Sequence, residues 1–289
     1  MQVVLQQVVN GLATGAIYSI IALALVMNFN STNHINFAQG EMAMFSTYVA
    51  WTLVHVGLPF WLAFILTVVV SFAGGMVLER FVLQPFRNAP LLSIIVVFIA
   101  LFLAFNAFAG WIWGFVLKDF PSPVSTYSTG TPLVGAHQLF VGAVTTGMLI
   151  LLYLFFRFTS LGLSMRAVAH NPTSSRLVGI RVARTLALGW GLAAAIGAVA
   201  GMMIAPLTFL DPNMMAGILL YAFAAALLGG VDSPPGAVLG GLIVGVLENL
   251  LGAYVVGPEL KLTVALAIVI LVLVFRPQGI LGRVTVRRV

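Results

Sequence analysis

The chain has no cysteine. Disulfides, thiolate metal ligands and a cysteine nucleophile are therefore excluded. Charge is scarce too: 7% of its 289 residues are Asp, Glu, Lys or Arg, where a typical soluble domain carries roughly 25%. From Met1 to Gly40 there is no Asp, Glu, Lys or Arg at all. Enzyme signatures are also missing. There is no HExxH, no GxSxG and no Gly-Lys pair of a phosphate-binding loop, and His34, His55, His137 and His170 are scattered. These absences point away from an enzyme. No cofactor is expected on this chain, so ATP that drives any process here must be bound by another one.

What is present is apolar sequence. Hydrophobic residues make up 61% of the chain. A membrane-crossing helix needs roughly 20 apolar residues, and runs near that length recur from end to end. Apolar runs and Gly, Pro and Asn breaks place spans near Val8–Phe29, Phe37–Val54, Phe60–Leu78, Pro90–Ile112, Gln138–Phe156, Thr185–Pro206, Gly217–Gly230, Gly236–Val256 and Glu259–Phe275. The fold class is all-α, a polytopic membrane bundle of about nine segments, eight to ten in range. The seventh run is short and is read as tilted or re-entrant. The stretch from Met1 to Gln7 lacks the basic start of a cleavable signal peptide, so the first span is expected to be retained.

The net charge of +6 is not a nucleic-acid signal. Nine of the thirteen basic residues lie in two places: Arg157, Arg166, Arg176, Arg181 and Arg184, and Arg276, Arg283, Arg287 and Arg288. Such clusters beside span ends follow the positive-inside rule. They mark residues 158–184 as a cytoplasmic loop and 276–289 as a cytoplasmic basic tail within one transmembrane domain over 1–289. An odd number of crossings then puts the N-terminus outside, and the segment from Gly114 to His137 becomes an external loop. Gly11-x3-Gly15, Gly197-x3-Gly201, Gly236-x3-Gly240 and Gly241-x3-Gly245 let helices approach closely. They speak to packing and say nothing of cargo.

Three places break the apolar pattern with chemistry. In Asn36-Phe37-Ala38-Gln39-Gly40-Glu41 an acid enters a membrane segment beside two amides. Two roles fit Glu41: capping a helix N-terminus, where the dipole favours an anion, or facing a hydrated pathway or its gate. Glu248, followed by Asn249, is a second intramembrane acid. With Asn106 it reads as an internal polar contact, either structural or part of a pathway. The third place is the Arg-rich segment. Asn171 suits an N-cap, Pro172 the first helical position and Gly179 the stop, giving a cytoplasmic helix of about seven residues. Its Leu177, Val178 and Ile180 form an apolar tip in a basic loop. The tip serves either as a docking knob for another protein or as loop packed on its own bundle.

At these residues the chain resembles the membrane permease subunits of bacterial high-affinity branched-chain amino acid ABC importers, specifically the shorter H-type subunit. The resemblance runs over nearly the whole chain. It begins with Asn10-Gly11-x3-Gly15-x2-Tyr18-x3-Ala22-Leu23 and Asn36-Phe37-Ala38-Gln39-Gly40-Glu41. It continues through Arg166-Ala167, Asn171, Gly179-Ile180 and Leu228-Gly229-Gly230, then Gly236, Gly240 and Gly245-Val246-Leu247-Glu248. It closes with the motif from Phe275 to Gly282. Two features depart from the family's pattern. Gln39 stands where the family usually has His, which removes any titrating role there. Ser175 and Asn171 stand where it often has Ala and an acid.

The resemblance implies a translocation subunit in the bacterial inner membrane. Its partners would be a second permease subunit, two cytoplasmic ATPases and an extracytoplasmic solute-binding protein. Arg166, Ala167, Asn171, Ser175, Leu177, Gly179 and Ile180 would couple to the ATPases. Asn36, Gln39, Gly40, Glu41 and Glu248 are the pathway or gate candidates. Cargo would be branched-chain or other hydrophobic amino acids. A urea or short-amide permease of the same family is the alternative, and an autonomous secondary transporter or channel is the rival from another class.

Overall fold

A computed structural model describes residues 2–32, 34–87, 89–124, 135–257, 260–276 and 278–282. Among them the chain is helical: α1 (Gln2–Thr32), α2 (Gln39–His55), α3 (Phe60–Leu78), α4 (Leu91–Trp113), α5 (Ala136–Phe158), α6 (Ser160–His170), α7 (Pro172–Leu177), α8 (Val182–Thr208), α9 (Met215–Gly229), α10 (Pro234–Tyr254) and α11 (Lys261–Phe275). A single β-bridge, Lys118 with Leu210, is the only strand-like pairing among the described residues. Six helices (α1, α3 with the turns that follow it, α4, α5, α8 and α10) are long and apolar enough to cross a membrane. Two shorter apolar helices, α9 and α11 with 15 residues each, fall short of the roughly 20 a full crossing needs, and α2, with 17 residues including Gln39, Glu41 and His55, is both short and less apolar. Each coincides with one of the nine runs read from sequence. Residues 125–134 of the expected external loop, Glu259 at the start of the last run, and Arg283, Arg287 and Arg288 of the basic tail lie outside the described residues.

The chain divides into two compact units. One comprises Met1–Val26, Val124–Thr146 and Gly217–Val289. Here two of the small-residue motifs meet each other. A Cβ added to Gly11 would lie 2.7 Å from the Val246 Cα, and one on Gly15 would lie 2.8 Å from the Gly241 carbonyl oxygen. The first part of α1 thus crosses α10 backbone to backbone, with Ser19 Oγ donating to the Val238 carbonyl at 2.9 Å. Gly236 and Gly240 line another face of α10, against Gly229 and Ala225 of α9. The closing motif returns onto α9: the Ile280 and Leu281 amides donate to the Leu228 and Gly229 carbonyls at 2.8 and 2.9 Å. Carbonyls at a helix C-terminus lack intrahelical donors, and this segment supplies two.

The other unit comprises Met27–Pro123 and Gly147–Ala216. Its centre is α8, against which α2, α3, α6 and α7 lie. Trp190 of α8 is fully buried, stacked on Phe98 and surrounded by Met42, Leu83, Ile94 and Ala194. Gly75 admits α3 to the Trp190 backbone, and Gly197 and Gly201 admit α2. Beyond α3 the chain continues as a π-helical turn, Glu79–Leu83, and a short 3-10 turn, Gln84–Phe86. Arg87 folds back there to pair with the buried Glu79.

Residues 158–184 are more ordered than the sequence reading of one short helix in a loop. The Thr159 hydroxyl accepts from the Gly162 amide at 3.0 Å and caps a further helix, α6. Gly162, Met165 and Val168 are buried, while Leu161, Leu163 and Arg166 are exposed. That three-residue spacing marks the buried stripe of an amphipathic helix.

The α1–α10 crossing yields a prediction. Gly15→Leu forces side-chain atoms into backbone and should destabilise by about 1–3 kcal/mol or more. Gly142→Leu, where an added Cβ meets nothing within 4 Å, should be near neutral. Thermal unfolding and monodispersity of both variants in detergent check this, and equal behaviour would refute the close crossing.

Candidate functional site

Asn36 and Gln39 sit at the entry to α2. The Asn36 Oδ1 accepts the Ala38 amide at 3.0 Å, folding the chain into the first turn. Gln39 is buried and used at both ends. Its Oε1 accepts from Asn28 Nδ2 at 2.6 Å, and its Nε2 donates to the Ala193 carbonyl of α8 at 3.0 Å. Gly197, one turn further along α8, leaves the space: a Cβ there would lie 2.5 Å from the Gln39 Nε2. Asn28, Asn36 and Gln39 therefore fix the start of α2 to the end of α1 and the middle of α8. Gly40 is buried in the same turn.

Glu41 follows in α2 and is 1% exposed. The Asn106 amide of α4 donates to its Oε2 at 3.4 Å. That amide also reaches the Pro212 carbonyl at 2.8 Å and the Asn213 Oδ1 at 3.2 Å. Asn106, expected beside Glu248, is instead a partner of Glu41. The structure brings Asn36, Gln39, Gly40 and Glu41 together with Asn106 and the 211–213 turn, all within one compact unit. The turn was missed by sequence reading, although Asp211-Pro212-Asn213 between two apolar runs is a recognisable turn signal.

Glu248 lies in the other unit and has its own partners. The Tyr18 hydroxyl donates to its Oε2 at 2.7 Å, and Lys261 Nζ approaches Oε1 at 3.8 Å. Tyr18 stacks on Tyr221 at 4.9 Å, and Asn249 donates to the Thr14 hydroxyl at 2.9 Å. Glu248 thereby links α1, α10 and α11. Sequence reading overlooked Lys261, the first residue of an apolar helix, where a cation calls for a counter-charge.

The third feature is α7. Asn171 Oδ1 accepts the Ser174 amide at 2.9 Å, Pro172 opens the helix, and Ser175 is buried with its hydroxyl donating to the Asn171 carbonyl at 2.8 Å. The helix closes with a Schellman pair. The Gly179 amide donates to the Arg176 carbonyl and the Ile180 amide to the Ser175 carbonyl, both at 3.0 Å. Gly179 has φ +85°, a conformation that favours glycine. The α-helical part is six residues long. Leu177 and Val178 at its end are 85% and 77% exposed, whereas Ile180 is half-buried. Arg166 stands exposed on α6, and the Ala167 carbonyl receives the Asn171 amide at 3.0 Å.

Residues 7–273 match the model of a family described as the branched-chain amino acid transport system permease component. The chain is 34% identical to the high-affinity branched-chain amino acid transport system permease protein LivH of Salmonella typhimurium, over 99% of this chain and 97% of that protein. It is 33% identical to the Escherichia coli protein of the same name over the same shares. It is 35% identical to the corresponding protein BraD of Pseudomonas aeruginosa, over 99% of this chain and 98% of that one.

The Glu248 cluster predicts an asymmetry. Glu248→Gln leaves the Tyr18 hydroxyl an acceptor and should cost little stability. Lys261→Met strands a buried carboxylate, which is strongly destabilising for a fully buried pair. Because Lys261 is about a third exposed, the expected loss is smaller, on the order of 1–2 kcal/mol. Melting temperatures in detergent decide the order, and a Gln variant less stable than the Met variant would overturn the assignment.

Proposed function

The chain belongs to the branched-chain amino acid transport permease family, and from that premise we propose that it is the H-type membrane permease of an ATP-driven importer for branched-chain or other hydrophobic amino acids. It is a multi-pass membrane protein and a translocation subunit, and it carries out no covalent chemistry. The observation that carries the reading is the family likeness over 99% of the chain. The exposed, capped tip of α7 supports it. An isolated channel or carrier has no use for a rigid apolar knob beside Arg166, Arg176 and Arg181, whereas a subunit driven by another protein does.

In this reading the inner membrane holds about nine crossings, with α2, α9 and α11 as the short ones, the N-terminus outside and the C-terminus in the cytoplasm. Residues 158–184 form the coupling segment, and 276–289 form the basic cytoplasmic tail. Two ATPases bind the nucleotide and dock on α7. A second permease, different from this one, completes the membrane unit, and a solute-binding protein delivers cargo from outside. Closure of the ATPases moves α7, and through α6 and α8 biases the bundle between outward- and inward-facing states. Glu41, with Asn36, Gln39 and Gly40, belongs to the pathway or gate. Glu248 belongs to the frame. Urea or a short amide as cargo is the second reading within the family.

Uptake by vesicles holding the assembled importer tests the cargo. Leucine, isoleucine or valine should accumulate on ATP addition, and uptake of urea alone would overturn the assignment. Topology follows from the Arg-rich segment. A cysteine at Ser174 should react with an impermeant thiol reagent only from the cytoplasmic face, and one at Val116 only from outside. Reaction of both from one face would refute it. Coupling follows from the α7 closure. Gly179→Arg places charge and a strained backbone at the tip, where an added Cβ meets nothing within 4 Å. Insertion should be normal, with ATPase association weakened and uptake lost. Full uptake would rule out the tip as the docking point.

A further inference from the structure

The neighbours of Glu41 have more acceptors than donors. The Asn106 amide group has two protons yet faces three acceptors: Glu41 Oε2, the Pro212 carbonyl and Asn213 Oδ1. Among the described residues, the ion-paired carboxylates are Glu79 and Glu248, so Glu41 has no cationic partner. Asp211 lies within electrostatic reach of both Glu41 and Tyr48. The Asp211 carboxylate accepts the Asn213 amide, which closes its own turn.

Tyr48 provides an independent observation. It is fully buried, and its hydroxyl has no hydrogen-bond partner. Tyr48 stands two turns after Glu41 and so shares its face of α2. Its ring is held by stacking on Trp113 at 4.9 Å. A buried hydroxyl without a partner loses the hydrogen bonds it would make to water, and here it lies within electrostatic reach of Asp211, in the turn that Asn106 binds.

We propose that Glu41, Tyr48, Asn106 and the Asp211-Pro212-Asn213 turn form a site for a primary ammonium group, the α-ammonium of the transported amino acid. The inference rests on the amino acid importer reading above and assigns a chemical role to its pathway candidate. An ammonium has three N–H donors and one positive charge, which is what a cluster with surplus acceptors and unbalanced negative charge lacks. A metal ion fits less well: no group of three or more His, Asp or Glu gathers anywhere among the described residues. Urea and neutral amides bring no charge to Glu41, so the site selects against them.

The test uses the assembled importer in nanodiscs and two probes that divide the cargo. Isoamylamine carries the leucine side chain with an ammonium and no carboxylate, and isocaproate carries it with a carboxylate and no ammonium. Tryptophan emission is the readout, since Trp113 stacks on Tyr48. Isoamylamine should give a saturable change and isocaproate none. Glu41→Gln should weaken the amine response about tenfold or more, the size expected for a lost hydrogen bond to a charged group. Tyr48→Phe keeps the stacking, removes only the hydroxyl and should weaken the response by a smaller factor. If Glu41→Gln fails to assemble, Tyr48→Phe decides alone. An amine response unchanged in both variants overturns the site. So does an equal response to isocaproate, or a response to sodium at constant ionic strength in place of the amine. Uptake by vesicles holding the same importer separates the two readings. Leucine uptake without amine binding removes the ammonium site alone, whereas urea uptake without amino acid uptake removes the importer assignment beneath it.

Discussion

Hydrocarbon supplies no hydrogen bonds, so a polar atom carried into the membrane must find its partner within the protein. Gln39 shows how far this constraint shapes the structure. Its amide has both ends engaged, by Asn28 and by the Ala193 carbonyl. Those two bonds fix where α2 begins, and Gly197 is small because the Gln39 amide occupies its flank. With α2 fixed, the next residues of its first turn are placed as well, and Glu41 is brought to Asn106. The same rule holds in the other unit, where Glu248 is met by Tyr18 and Lys261.

The two acids answer the constraint differently. Glu248 has a short bond from a tyrosine and a lysine beside it, and its surroundings read as a closed account of structural contacts. Glu41 has one long bond from an amide that is shared with two other acceptors. A buried charge left so poorly matched is expensive in a low-dielectric setting. The mismatch sets Glu41 apart from Glu248, whose carboxylate is met by Tyr18 and Lys261.

How much of this was legible in the sequence depends on how local the cause is. The α7 pattern was readable because Asn171, Pro172 and Gly179 act on backbone atoms within a few residues of themselves. The Gly11 and Gly241 motifs were readable as packing stripes, but which stripe meets which is a matter of tertiary structure, and no local rule pairs them. Asn106 with Glu41 and Lys261 with Glu248 are long-range choices of the same kind. The α6 helix was missed for another reason. Basic residues dominate the character of its segment, while the helical signal lies in the buried three-residue spacing of Gly162, Met165 and Val168. The nine apolar runs all appear as helices, yet only six of those described are long and apolar enough to cross: α9 and α11 are short, and α2 is both short and more polar.

The closure of α7 has a consequence for the docking proposed above. Both ends of this helix are satisfied by its own chain, through Asn171 at the start and Gly179 and Ile180 at the stop. Leu177 and Val178 are therefore displayed in a shape that exists before any encounter. A partner meeting a preformed surface loses little conformational entropy in ordering it, so a small contact can bind more tightly than its area suggests. A stiff tip also passes displacement to its base instead of absorbing it in flexing. In the proposed docking, an element of only six residues would act as a lever as well as a handle.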